Sequence, residues 1–162
     1  LKAKFPNNLI LVDLKTMDAG EYEAEPFYKA GADICTVLGA SGIATIKGVI
    51  AAAKKYGKEC QVDMINVDDK ESLAKEAVAA GADIIGVHTG LDAQAAGHTP
   101  FADLAAIAAL NTGAKISVAG GVKAATAQEV KDAGAAIIVA GAAIYGAADP
   151  AAAASEITAI AH

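Results

Sequence analysis

Ala80-Gly81-Ala82-Asp83-Ile84-Ile85-Gly86-Val87-His88 runs from the end of a helical window, through a glycine turn, into an apolar segment that stops on an ionisable residue. Gly81 stands where a helix wants a left-handed residue just past its end. Ile84 to Val87 is nearly continuously apolar, as a parallel strand covered on both faces should be. The motif echoes on either side, as Ala30-Gly31-Ala32-Asp33-Ile34 and Ala133-Gly134-Ala135-Ala136-Ile137, about two βα units apart. Further β-branched runs lie at Leu9–Val12, Ile34–Leu38, Gln61–Ile65, Ile116–Val118 and Ile137–Val139. Between them fall helical windows rich in Ala, Lys, Glu and Leu, and Gly31, Gly57, Gly81, Gly113 and Gly134 each punctuate a helix-to-strand passage. Six repetitions of this βα pattern predict an α/β fold with a parallel sheet covered by helices. A closed barrel and an open, doubly wound sheet fit the periodicity equally.

The chain has 162 residues and suits a single domain, residues 1–162, around one core. Its net charge of -6 disfavours a nucleic-acid partner, which needs clustered positive charge. All 13 basic residues are lysines, so no guanidinium fork is available to grip a phosphate. That task is left to backbone N–H groups, hydroxyls or lysine. Cys35 and Cys60 sit in apolar runs outside any C-x-x-C pattern and read as buried free thiols of a reducing cytoplasm. The apolar stretches are broken well before the ~18 residues of a membrane span, so no membrane association is expected.

In parallel α/β folds the carboxyl ends of the strands build the site, and the polar residues of this chain gather after the apolar runs. Asp13, Lys15 and Asp18 follow the first run; two carboxylates bracketing a lysine can bind a hard divalent cation, with the ammonium free to face a developing oxyanion. A surface salt-bridge cluster is the competing reading. Asp13 and Lys15 are expected to point the same way from an extended segment. Asp63 lies within an apolar run, where an ionised carboxylate must be paired; it should face the mouth of the sheet near Lys15, as part of a site or as a structural ion pair. His88 ends its strand with a side chain suited to proton transfer or to a structural hydrogen bond. His98 and His162 read as solvated bystanders. Gly120-Gly121 and Gly141-Ala142 close the last two runs. Small residues there let backbone N–H groups approach a phosphate, although ordinary tight turns would also use them. No nucleotide-binding glycine fingerprint is present.

Asp13-Leu14-Lys15-Thr16-Met17-Asp18 resembles the D-x-K-x-x-D segment of the orotidine-monophosphate-decarboxylase suprafamily. Thr36-Val37-Leu38-Gly39, Val62-Asp63-Met64-Ile65, Val87-His88-Thr89-Gly90-Leu91-Asp92-Ala93-Gln94, Val118-Ala119-Gly120-Gly121, and Gly141-Ala142-Ala143-Ile144 with Asp149-Pro150 resemble its 3-hexulose-6-phosphate synthase branch, in that order. The resemblance spans nearly the whole chain and implies a (βα)8 TIM-barrel type of fold, six of whose βα units are present. It further implies a Mg²⁺-dependent aldol reaction joining formaldehyde to D-ribulose 5-phosphate through an enediolate, with Asp13 as metal ligand and Lys15 beside the developing charge. By the same resemblance Asp63 and His88 serve substrate contact and proton transfer, and Asp18 reaches into the neighbouring subunit's site, which implies a homodimer with sites at its interface.

Two other readings stand beside this one. The sister activity, 3-keto-L-gulonate-6-phosphate decarboxylation, resembles His-Arg-x-Arg-Asp after the histidine and Gly-Arg after the last strand, where this chain has Thr89-Gly90-Leu91 and Ala142. A non-catalytic sugar-phosphate-binding or scaffold protein is the alternative from another class. It is motivated by a departure from the family: the two βα units with which members begin, carrying an aspartate and a metal-binding glutamate, have no counterpart here. The opening Leu1-Lys2-Ala3-Lys4-Phe5-Pro6 reads like the tail of a cut helix. Two open sheet edges are therefore expected, together with a weak hold on Mg²⁺ by Asp13 alone and little turnover from the chain as it stands.

Overall fold

The computed structural model describes residues 1–161, so His162 lies outside the described residues. The six strands are ordered as they occur in the chain and alternate with helices. The chain divides into two compact units, Leu1–Ile85 and Gly86–His162. The division falls inside a strand rather than at a linker.

The first unit runs β1 (Leu11–Thr16), α1 (Gly20–Lys29), β2 (Ile34–Leu38), α2 (Ile43–Tyr56), β3 (Glu59–Asp63) and α3 (Lys70–Ala80), and enters β4 (Ile84–His88). β1 pairs with β2, and β2 with β3, all parallel. Both faces of β2 and β3 are buried: Cys35, Val37, Cys60 and Val62 share one face, with Ile46, Val49 and Ala52 of α2 and Ala24 of α1 also fully buried, and the polar Thr36, Gln61 and Asp63 share the other. Cys35 and Cys60 are register partners, and burial pushes the Cys35 thiol up to about 11 and moves the Cys60 thiol in the same direction. Both are free cysteines, as the sequence leads one to expect. Where α1 and α2 meet, a Cβ on Gly20 would strike the Thr45 carbonyl oxygen, and one on Gly48 would come within 2.9 Å of the Glu21 nitrogen. The two backbones touch, which pins the first turn of α1 and with it the loop that carries Asp18.

The Ala-Gly-Ala-Asp-Ile echo has a structural cause. The N–H of Asp33 donates to the Ile10 carbonyl while its Oδ2 accepts the Ile10 N–H at 2.9 Å; Asp83 repeats this two-way clamp on Cys60. Ala136 keeps only the backbone half, to Ile116. Asp33 also binds Lys2 at 2.8 Å and Lys58 at 2.6 Å. These two ammonium groups, with the Ile10 N–H, hold its carboxyl well below the ordinary carboxylate range. A carboxyl depressed on folding contributes stability that is present above its unfolded pKa and lost as pH falls towards the folded one. Asp33→Ala is therefore expected to lower unfolding stability at pH 7 by about 2–3 kcal/mol. Urea denaturation should show the gap between wild type and variant narrowing progressively below about pH 4.

The second unit completes β4 and continues through α4 (Leu91–Ala95), α5 (Phe101–Ala109), β5 (Lys115–Ala119), α6 (Ala124–Asp132), β6 (Ile137–Val139), α7 (Ala142–Tyr145) and α8 (Pro150–Ala161). β5 and β6 are parallel, with Ser117 opposite Ile137. Val118 of β5, Leu104 and Ile107 of α5, Ala127 and Val130 of α6 and Ile157 of α8 form its buried core.

The five helix-to-strand glycines all have positive φ, from 62° at Gly57 to 105° at Gly81, and Gly31, Gly57, Gly81 and Gly134 stand at helix ends as left-handed caps; after α5 that place is taken by Asn111 at φ 49°, and Gly113 lies two residues beyond it. Two strand limits differ from expectation. β1 begins two residues after Leu9 and includes Asp13 and Lys15, so these residues lie in the strand and not in a loop after it. β3 starts at Glu59 and ends on Asp63, because the Asp63 carboxylate takes the Ile65 N–H at 2.9 Å and turns the chain out of the ladder. The outermost strands expose apolar side chains, Leu11 at 37% on β1 and Val139 at 39% on β6, consistent with the expected open edges. No helix among the described residues is long and apolar enough to cross a membrane.

Candidate active site

In the first unit the site is built around a bulge. Val12 is in register with Cys35 and Thr16 with Val37, so β1 takes four steps where β2 takes two. Lys15, at φ 48°, supplies the irregularity. Left-handed backbone in a non-glycine residue costs about 1–2 kcal/mol, and the bulge arches β1 over Thr36. The Thr36 hydroxyl accepts the Lys15 N–H at 2.9 Å and donates to Asp13 Oδ1 at 2.9 Å. The Lys15 ammonium lies 2.6 Å from Asp13 Oδ2 and 3.2 Å from Asp63 Oδ2.

Asp13, Lys15 and Asp63 are thus brought together, but not by two extended residues pointing the same way. The left-handed turn at Lys15 replaces that expectation. The roles of the two carboxylates differ with their surroundings. Asp63, with 4% of its side chain exposed, is tied to the Ile65 N–H as well as to Lys15, whereas Asp13 is 56% exposed. Partial burial of Lys15 would by itself lower its pKa. Hydrogen bonds to Asp13 and Asp63 and attraction by both carboxylates together outweigh that effect and hold it above the ordinary lysine value. The ammonium stays charged throughout the neutral range.

Asp18 stands apart in the loop before α1. It is exposed, and its Oδ1 accepts the N–H of Ala19, itself left-handed at φ 50°. Asp69, from the acidic pair before α3, caps that helix by accepting the Ser72 N–H.

In the second unit His88 ends β4, half-buried, and Thr89 follows it, buried. Thr89 donates its N–H to the Ala119 carbonyl at the end of β5. Gly120 and Gly121 come next, at φ 110° and 71°, values that make this turn dependent on glycine. A Cβ on Gly120 would collide with the Thr89 carbonyl oxygen. Gly141 precedes α7 and Ala142 opens it, both exposed. His98 is exposed on the loop after α4, as expected of a bystander.

Three polar residues of these sites have no role assigned from the sequence: Thr36 and Gln94, which stand within family-like motifs, and Gln61, which stands in none. Thr36 and Gln61 are register partners in buried strands, and the amide oxygen of Gln61 is buried without a hydrogen-bond partner among the described residues. A polar residue at an alternate position of an apolar run is the signal that points to such groups.

The described residues contain no cluster of three or more His, Cys, Asp or Glu able to hold a metal. The donor set is one exposed carboxylate, Asp13, two of whose lone pairs go to Lys15 and one to Thr36. That suits Mg²⁺ as a single protein ligand, since this ion commonly takes one or two carboxylates and completes its shell with water and substrate oxygens.

Parallel strands alternating with helices, with polar groups at the carboxyl strand ends, define an enzyme-like α/β architecture built from βα units. The chain belongs to the Orotidine 5'-phosphate decarboxylase / HUMPS family, whose model matches residues 1–157. Its fold is of the (βα)8 TIM-barrel type, with six βα units present in this chain. It is 73% identical over 161 residues to the 3-hexulose-6-phosphate synthase of Methylomonas aminofaciens, covering 99% of this chain and 77% of that protein. It is 48% identical to the enzyme of the same name from Mycobacterium gastri, over 98% of this chain and 76% of that one. Among solved structures, the 3-hexulose-6-phosphate synthase of Salmonella typhimurium superposes with a TM-score of 0.94 at 42% identity, over 99% of this chain and 76% of that one. The protein named KGPDC from Streptococcus mutans follows at 0.86 and 28%, over 98% of this chain and 77% of that one. The chain spans about three quarters of the length of each of these relatives.

Proposed function

We propose that this chain is a carbon–carbon lyase of the aldehyde-lyase type, condensing formaldehyde with D-ribulose 5-phosphate to D-arabino-hex-3-ulose 6-phosphate. The observation that carries this reading is the 73% identity, across nearly the entire chain, to a protein named 3-hexulose-6-phosphate synthase. The absence of arginine throughout the sequence also favours it over the decarboxylase branch, as do the 42% against 28% identities to the two kinds of solved structure.

In the proposed reaction C1 of the sugar loses a proton, the resulting enediolate carbon bonds to the carbon of formaldehyde, and the new alkoxide takes up a proton. Lys15, kept cationic by Asp13 and Asp63, faces the negative charge that develops on the sugar oxygens. Asp63 orients that ammonium, and His88 moves the proton. The N–H groups of the Gly120-Gly121 and Gly141-Ala142 turns receive the phosphate. Asp13 is the protein ligand for Mg²⁺, which when bound supplies Lewis-acid stabilisation of the sugar's oxygens. We further propose a cytoplasmic homodimer in which the exposed Asp18 completes the partner's site.

A lysine held cationic cannot attack a carbonyl, so no Schiff base is expected. In a version of the chain extended by the two βα units with which family members begin, borohydride added during turnover should leave the protein mass unchanged, and EDTA should abolish formaldehyde-dependent consumption of ribulose 5-phosphate, with Mg²⁺ restoring it. A borohydride-stable adduct on Lys15, or full activity in EDTA, would overturn the mechanism.

A further inference from the structure

We infer that Gln94 is the positioning residue of the Gly120-Gly121 phosphate turn, locking it against the end of β4. The inference rests on the reading of that turn as a phosphate site. Gln94 lies in the short helix α4, half-buried, and its Nε2 donates to the Thr89 carbonyl at 2.8 Å. A carbonyl only accepts, so this contact also fixes which way the amide is turned. The other end of the same amide, Oε1, lies 3.2 Å from where a Cβ on Gly121 would stand.

The Thr89 backbone is therefore held from three directions. Its N–H bonds to Ala119 at 3.1 Å, its carbonyl oxygen accepts from Gln94, and Gly120 presses on that same carbonyl more closely than any side-chain-bearing residue could. Gly120 and Gly121, both at positive φ, are individually free to adopt many conformations. A pair of glycines makes a good anion cradle only if something removes that freedom before the ligand arrives. The Gln94 side chain does so by occupancy: its Nε2 is bonded to the Thr89 carbonyl, and its Oε1 stands beside Gly121 in space the turn would otherwise sweep. Its own backbone is anchored through its N–H to the Gly90 carbonyl at 2.9 Å, so the amide is presented from a fixed base.

The test is Gln94→Met, which keeps the reach of the side chain and removes the donor. The full 162-residue chain and the variant are titrated calorimetrically with inorganic phosphate, with D-ribulose 5-phosphate and with unphosphorylated D-ribulose. Dissociation constants for the two phosphorylated ligands should rise about tenfold, as for one lost ordering contact, while that for D-ribulose stays within about twofold. In turnover by the same pair extended by the two βα units with which family members begin, the KM for the sugar phosphate should rise with kcat nearly unchanged, a split that a general loss of stability would not produce. Gln94→Glu, which puts an acceptor against the Thr89 carbonyl, should show a larger loss of the same kind and gives a second reading if the methionine variant does not fold. Unchanged affinity for phosphate in either variant overturns the inference, and loss of cooperative folding in both makes Gln94 a stability residue and does the same. A wild-type chain that binds neither phosphorylated ligand removes the phosphate site and this inference with it. Wild-type binding without aldol turnover would sink the proposed reaction yet leave the role of Gln94 standing.

Discussion

Lys15→Ala is expected to lower turnover by about 100-fold or more at saturating Mg²⁺, the magnitude typical of removing one preorganised group from a developing oxyanion. The ammonium sits within hydrogen-bond range of one exposed and one buried carboxylate, and their combined effect keeps it charged against the cost of partial burial. Its loss takes away the cation that Asp13 and the almost wholly buried Asp63 share. The thermal transition should remain cooperative, because Asp63 keeps the Ile65 N–H and Asp13 keeps the Thr36 hydroxyl. Steady-state kinetics with a melting curve on the same sample check both statements. Turnover within about tenfold of wild type would mean that the three residues are a structural salt bridge and nothing more.

His88→Ala is expected to cost a similar factor, about 100-fold, as the loss of an acid–base group commonly does, while His98→Ala should be near silent. His88 closes β4, half-buried, whereas His98 projects from the loop after α4. Assaying the two variants side by side separates the readings. An essential His98 with a dispensable His88 would show that the chemistry has been assigned to the wrong end of the loop.

The order of elements and the left-handed glycines were legible in the sequence because each depends on local chemistry: apolar runs make buried strands, and a helix end at positive φ wants glycine. The clustering of Asp13, Lys15 and Asp63 was legible in outcome, because a buried carboxylate requires a partner. Its cause was not. A bulge that slips the register of β1 against β2 is a cross-strand property, decided by the Thr36 hydroxyl bonding to both residues that flank Leu14, and no local pattern announces it. Gln94 was hidden for the same reason. It closes a family-like motif with no role attached, and only its hydrogen bond to Thr89, five positions earlier, gives it one. The repeated Asp33 and Asp83 lay in plain view as an echo, but its purpose, a two-way clamp on the preceding strand, needed the neighbouring strand's N–H and carbonyl to be seen.

The burial of Cys35 and Cys60 bears on survival in the presence of the proposed substrate. Formaldehyde is a small electrophile, and the thiolate is the reactive form of cysteine. Both sulfurs lie fully enclosed, side by side on β2 and β3, with their ionisation suppressed by burial. Neither thiol is presented to solvent as a nucleophile for hemithioacetal formation. Placing the two cysteines between sheet and helices thus leaves these thiols chemically indifferent to the aldehyde of the proposed reaction.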